Sequence, residues 1–282
     1  MRRSAALAAA ALLIAAAPAA AQPEPSALVR DVLERAHQNA PAGVDDYLVT
    51  LAVGPGLRAQ VYLARQEDQW EVVEERDAPL ADLVEGMLIW PLLAERFRAG
   101  MTAADAAAAQ PGLRSLGTDT VGGRAAHGVA MRIPGLTMES MPMPDSARVW
   151  VDAETRQVLR VASSADMDPS YGGLMRRGGH VDMELHFDGY EAIDGVTLPR
   201  RWRIVTRLRS NLTGAELQEM RDQLHGMMGS GTAEEDAQNR MLVDLMRRML
   251  DGEPMDVTAT VVDVQANPGR PAWARDGVAS GP

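Results

Sequence analysis

His180, Asp182, Glu184, His186 and Asp188 are the residues of this chain whose types and spacing come nearest to a reactive site. On a strand, residues two apart share a face about 6.5 to 7 Å from one another, so this run could offer imidazole and carboxylate ligands to a metal ion. A further ligand would have to come from a neighbouring strand, and the alternating run that follows offers Arg201, Arg203, Arg207 and Arg209. Arginine repels a cation and attracts carboxylate. The pattern therefore predicts a solvated sheet face on which acidic and basic side chains pair across a hairpin, and no metal ligand is assigned.

Nucleophilic catalysis needs a hydroxyl or thiol beside a base, with an acid to orient the base. The chain has no cysteine. Of its histidines, His37 ends a helical pattern, His127 lies in a strand pattern and His225 lies in a methionine-rich helical pattern. Gly-x-Ser-x-Gly, His-Glu-x-x-His, a phosphate loop and a dinucleotide fingerprint are all missing from the sequence. Gly122-Gly123 falls between two alternating runs and is a hairpin turn rather than a phosphate cradle. Every one of the 28 basic residues is arginine, which removes Schiff-base chemistry on lysine. The expectation is a protein with no catalytic residues, no cofactor and no metal: not an enzyme.

The first residues carry a different signal. Arg2 and Arg3 precede an apolar run from Ala5 to Ala17 containing Leu7, Leu12, Leu13 and Ile14, and Ala19-Ala20-Ala21 supplies a small-residue cleavage site before Gln22. These are the three parts of a secretory signal peptide, and the apolar run is too short to span a bilayer. Residues 1–21 are thus expected to be a signal peptide, leaving 22–282 as a single exported domain in the periplasm. Without cysteine it can be neither lipid-anchored through a thioether nor braced by disulfides. Losing Arg2 and Arg3 takes the formal charge from −11 to −13. Such acidity excludes nucleic acid as a partner and disfavours electrostatic attachment to an anionic membrane.

The elements follow from periodicity. An amphipathic helix with Ser26 as N-cap carries Leu28, Val29, Val32, Leu33 and Ala36 and stops at Asn39 and Pro41. From Tyr47 the period becomes two, through three runs separated by Gly54-Pro55-Gly56 and by the polar turn at Gln66 to Gln69. Residues 80–99 return to helical spacing with Pro91 as a kink, and Thr102 with Asp105 opens a second short helix. Strand patterns resume at Leu116 to Val121, Ala125 to Ile133, Arg148 to Val151 and Gln157 to Ser163. The Asp166 to Gly179 stretch is expected to be a loop. The hairpin of His180 to Asp188 with Leu198 to Arg209 follows it. Thr213 with Glu216 and Thr232 with Glu235 are capping boxes for two helices over 213–251, joined at Gly229-Ser230-Gly231, and Asp256 to Gln265 is the last strand, expected to close the sheet.

Some ten antiparallel strands with an apolar inner face and helices at two or three places predict an α+β fold: a curved sheet around a cavity, plugged by those helices. The 17 methionines, dense in the late helices, suit a cover that adapts to guests of varied shape. The same elements also fit a dry, permanently filled core, and pattern alone leaves the two open.

The order of certain short motifs resembles a known group. Leu116-Gly117-Thr118-Asp119-Thr120-Val121-Gly122-Gly123-Arg124, Val149-Trp150-Val151-Asp152 with Thr155, Phe187-Asp188-Gly189-Tyr190, Ile193-Asp194-Gly195-Val196 with Leu198-Pro199, and the terminal Val264-Gln265-Ala266-Asn267-Pro268 are similar to the outer-membrane lipoprotein-sorting (LolA/LolB-like) superfamily of periplasmic proteins. The resemblance spans roughly residues 45–270 and rests on the succession of motifs, each being strand-and-turn chemistry. It implies an antiparallel half-barrel of about 10–11 strands with helices packed in the concave face, no cofactor, and transfer of lipidated proteins or lipids between membranes. The helical hairpin at 213–251 is an insertion relative to that pattern.

Taken together these readings predict a monomeric periplasmic carrier or chaperone whose ligand is a lipidated protein or lipid, with membrane-protein donor and acceptor. The expected hydrophobic cavity is lined by Val49, Leu51, Val61, Leu63, Trp70, Val72, Val149, Val151, Leu185, Phe187, Trp202 and Ile204. Its expected cover is Met87, Leu88, Met220, Leu224, Met241, Leu245 and Met249. The alternative is an envelope lipid-sensing, regulatory binding protein acting through a protein partner.

Overall fold

The computed structural model describes residues 23–38, 43–53, 57–66, 69–76, 112–132, 137–138, 141–142, 146–167, 169, 176–193, 196–226, 243–244 and 246–272. The expected signal peptide, the helices expected over 80–111, the Gly54-Pro55-Gly56 turn and the capping box expected at Thr232 with Glu235 lie outside the described residues.

Helix α1 (Pro25–Gln38) opens the fold. Its first backbone bond runs from the Leu28 N–H to the Glu24 carbonyl, so Glu24 is the N-cap and Pro25 the first helical residue. That corrects the expectation for Ser26, whose hydroxyl instead donates to the Glu24 carboxylate. Proline is well placed there, because its missing N–H would have had no helical acceptor.

Twelve strands follow: β1 (Asp46–Val53), β2 (Leu57–Gln66), β3 (Gln69–Arg76), β4 (Arg114–Val121), β5 (Arg124–Arg132), the two-residue β6 (Thr137–Met138) and β7 (Met141–Pro142), β8 (Ser146–Asp152), β9 (Val158–Met167), β10 (Gly179–Ile193), β11 (Val196–Ser210) and β12 (Met255–Ala266). Helix α2 (Gly214–Gly226) precedes β12. Ten strands form one antiparallel sheet in the order β3-β2-β1-β12-β11-β10-β9-β8-β5-β4, while β6 and β7 pair within the expected Pro- and Met-rich loop. With β3 and β4 at opposite edges the sheet stays open, a half-barrel of mostly β structure as the resemblance implies and with the antiparallel strands that the periodicity predicts. The final strand, however, does not close an edge. It lies at the centre, joining the N-terminal meander through β1 to the long hairpin through β11.

Two bulges explain where simple alternation fails. Between Thr50 and Leu51 the β1/β12 register slips by one, so Val261 and Val264 both point inward while Val262 is left exposed. A second slip between Trp150 and Val151 lets Val158 and Val161 both face the interior. One extra residue in a strand switches every later side chain to the other face, which is why spacing of three replaces spacing of two at these points.

The family-like motifs turn out to be joints. Asn267, in a left-handed conformation with φ of 51°, receives a hydrogen bond at its Oδ1 from the Asp45 N–H at 2.8 Å and donates from Nδ2 to the Gly43 carbonyl at 2.9 Å. Its own N–H donates to the Asp46 carbonyl. The chain's last strand is thereby tied to the start of its first. Asp152 is buried in the β8–β9 turn, where its Oδ1 accepts the N–H groups of Thr155 at 2.6 Å and Glu154 at 2.9 Å, and its Oδ2 meets Arg124 Nε at 2.7 Å. Burial alone would raise its pKa, but these donors hold it below the ordinary carboxylate value. Gly189, at φ of 65°, lets β10 continue past the point where the sequence pattern predicts its end at Asp188: the register skips it, pairing Asp188 with Arg201 and Tyr190 with Pro199.

Candidate functional site

The inner face of the sheet, the one that carries α1, is built from rows of cross-strand neighbours. One row runs Val129, Val149, Val161, Leu185, Ile204, Val257 across β5, β8, β9, β10, β11 and β12. Beside it, Phe187, Trp202, Ala259 and Val53 are consecutive partners on β10, β11, β12 and β1. On the other side the row Met131, Ala147, Ser163, Met183, Thr206, Met255 introduces two hydroxyls, those of the buried Ser163 and Thr206. Leu28 and Val29 of α1 pack into the same cluster. The apolar interior is continuous from β2 to β5, because every strand between them presents a β-branched or large apolar side chain at matching register.

Val49, Leu51, Val61, Val149, Val151, Leu185, Phe187, Trp202 and Ile204 of the expected lining all lie in this one cluster. Leu63 and Val72 are partners in the β2/β3 ladder, and Trp70 sits opposite Arg65 on the outermost pair. Of the expected cover, Met87, Leu88, Met241 and Leu245 lie outside the described residues, and Leu224 falls on α2. Met220 on α2 and Met249 in the helical residues 246–250 are half-buried, and neither is among the described residues that form the inner-face cluster.

Helix α2 is positioned by charge. The Thr213 N–H donates to Glu216 Oε2 at 2.8 Å and the Glu216 N–H to Thr213 Oγ1 at 3.4 Å, the reciprocal capping box the sequence predicts. Arg177 adds a bond to Glu216 Oε1 at 2.7 Å. The bond from the Thr213 backbone, then Arg177, then the Thr213 hydroxyl bring the Glu216 pKa down to about 2. At the far end Arg221 donates to the Leu250 carbonyl and to Asp251 Oδ1 at 2.7 Å, joining α2 to the segment that precedes β12.

The outer face carries the acidic and basic ladder. Arg209 bonds Asp182, and Arg201 approaches Asp188 at 3.7 Å, as a charge-paired hairpin predicts. Arg203 departs from that scheme: it forms a two-point pair with Asp256 of β12 at 2.8 and 2.5 Å, while Glu184 is left to His186 on its own strand. Among the described residues no group of three or more His, Cys, Asp or Glu side chains could hold a metal ion.

One arrangement on this face went unrecognised in the sequence. His180 Nδ1 is 2.7 Å from Asp166 Oδ1 and its Nε2 is 3.3 Å from Ser164 Oγ, the distances of a nucleophile, base and orienting acid. Ser164 and Asp166 stand two apart on β9, and the register sets Asp166 opposite His180. Only strand register, invisible in a stretch expected to be loop, could have revealed this. The chemistry is poor, however. Nε2 is equally close to Asp182 Oδ1 at 3.3 Å, and the Asp166 side chain is 94% exposed. The bond from Asp166 above all raises the His180 pKa, which stabilises the ring's protonated form against the neutral form that a general base requires.

No family model matches the chain, and no curated protein matches it. Among solved structures it is similar to a DUF1329 family protein from Desulfovibrio piger, with 10% identity over 91% of this chain and 99% of that one and a TM-score of 0.40. It is similar to an outer membrane lipoprotein-sorting protein domain from Vibrio parahaemolyticus, with 8% identity over 90% and 98% of the two chains and a TM-score of 0.42. A LolA superfamily protein from Nitrosomonas europaea shares 6% identity over 86% and 94%, at a TM-score of 0.37. Likenesses this remote carry no part of the reading below. Among the described residues no helix is long and apolar enough to cross a membrane.

Proposed function

We propose that this chain is a non-enzymatic periplasmic carrier that shelters the acyl chains of lipids or lipidated proteins against the inner face of its sheet. The observation that carries the reading is the unbroken apolar cluster from β2 to β5 on one side of a sheet that does not close. An apolar face of that extent, on a sheet that does not close, can be shared with a guest when α1 moves aside. Burial of an acyl chain is favourable by about 0.8 kcal/mol per methylene, so a modest length of contact suffices for binding and release requires a competing acceptor. The signal-like first 21 residues support export, and the charge pairs on the outer face of the β10–β11 hairpin support a chain that travels through water.

Native mass spectrometry of the protein purified from a periplasm tests this: acyl-bearing adducts are expected, together with saturable binding of a fluorescent fatty acid. Protein that is uniformly free of lipid and indifferent to the probe would show the interior to be a permanently filled core and end the carrier reading. A stable complex with a protein partner, combined with failure to pass lipid to acceptor vesicles, would favour the regulatory alternative.

A further inference from the structure

At one end of the inner face two hydrogen-bonding atoms are buried without a partner: Nδ1 of His127 and Nη1 of Arg156. His127 stands on β5 opposite Val151, on the side that carries Val129 and Met131 into the apolar cluster. Arg156 belongs to the β8–β9 turn, which is pinned to the start of β5 by the Ala153 N–H bond to the Ala125 carbonyl at 2.9 Å. Helix α1 covers the same end, bringing Asp31 to 3.8 Å from Arg156 Nε. Burial chiefly, and the Arg156 charge next, lower the His127 pKa.

Buried polar groups in folded proteins are nearly always satisfied, so two buried nitrogens with no partner among the described residues ask for an explanation. Local groups do not supply one. Asp152 is fully engaged by Thr155, Glu154 and Arg124, and Thr155 Oγ1 is taken up by Arg124 at 3.2 Å and Gln157 at 3.2 Å. Asp31 is beyond hydrogen-bond distance of Arg156 and is shared with Arg30 at 3.9 Å. Moreover, Arg156 adopts a left-handed backbone with φ of 61°, where glycine or asparagine would be at ease. A long cation is thus held at a strained turn position, with its Nη1 kept out of water.

We propose that His127 and Arg156 form an oxyanion subsite at the α1-covered end of the inner face, taking the carboxylate or phosphate headgroup of a ligand whose acyl chain lies along the adjoining apolar rows. Arg156 donates from Nη1 and His127 from Nδ1, in the tautomer that carries its proton there, to the oxygens of one anion. The inference rests on the carrier reading and names the class of its ligand: an acyl chain ending in an anion rather than a neutral ester or glyceride.

The test compares cis-parinaric acid with its methyl ester on the full-length mature chain, with inorganic phosphate as competitor. The expected result is at least tenfold tighter binding of the acid than of the ester, with the ratio falling to near one in Arg156→Gln and falling partway in His127→Leu, while the ester is bound by all three proteins alike. Millimolar phosphate should displace the acid and not the ester. Equal binding of acid and ester by the unaltered protein would overturn the subsite and leave the carrier standing, as would Arg156→Gln weakening both probes equally. Binding of neither probe would overturn the carrier; if phosphate still protected the unaltered protein and not Arg156→Gln from thermal unfolding, the oxyanion site would survive as one for free phosphate, and if it did not, both would fall.

Discussion

The two faces of the β10–β11 hairpin share a backbone and differ in almost every physical respect. Inward, Leu185, Phe187, Trp202 and Ile204 are buried in one cluster with α1 and the central strands. Outward, Asp182, Asp188, Arg201, Arg203 and Arg209 pair across strands in reach of solvent. An inward side chain gains the full transfer free energy of leaving water, whereas an exposed ion pair trades Coulomb attraction against lost side-chain freedom and screening. Stability should therefore reside on the inner face and solubility on the outer one. The same inner surface that holds the sheet to α1 is the one on which the proposed guest would lie.

That contrast can be broken most sharply at Trp202, fully buried at the centre of the inner face. Trp202→Ala should cost about 3–5 kcal/mol, read from urea unfolding; a loss below about 1 kcal/mol would mean that the inner face is already loosely packed. Next comes the joint between the faces. Gly189→Ala places a Cβ 3.3 Å from the Arg200 Cβ in a left-handed conformation and should destabilise by about 1–3 kcal/mol. On the outer face, Asp256→Asn removes the best-formed exposed pair, with Arg203, and should cost at most about 1 kcal/mol, an effect shrinking in high salt.

The α2 cap gives a pH signature instead. The Glu216 pKa is lowered in the folded protein, to about 2, so its contribution is complete above the ordinary value of 4.5 and is lost as pH falls through about 2. Acid titration followed by amide exchange should show α2 loosening in that window, and Glu216→Gln should abolish the dependence. Smallest of all, Ser164→Ala on the outer face should leave lipid binding and stability unchanged and remove no hydrolytic activity. A measurable esterase that dies with this substitution would turn the Ser164, His180 and Asp166 arrangement into a working site.

Much of this was legible without coordinates, and for a definite reason. Alternation in His180 to Asp188 and Leu198 to Arg209 announces a hairpin because a strand repeats every two residues, and Thr213 with Glu216 announces a helix start because a capping box closes within four residues. The sequence pattern ends the strand at Asp188 because Gly189 resets the alternation, and it gives Asp166 to a loop because Ser163 to Met167 mixes small and polar residues.

Residue types and short-range spacing determined by themselves the strand-rich fold, the apolar face, the charged face and the Thr213 and Glu216 cap, since each of these depends on neighbours a few positions away. The central place of β12 between β1 and β11, the bulges at Thr50/Leu51 and Trp150/Val151, the alignment of Ser164 and Asp166 with His180, and the tie of Asn267 to the start of β1 were decided only by the tertiary structure. They depend on register between segments far apart in the chain, and register is settled by how all the strands pack at once.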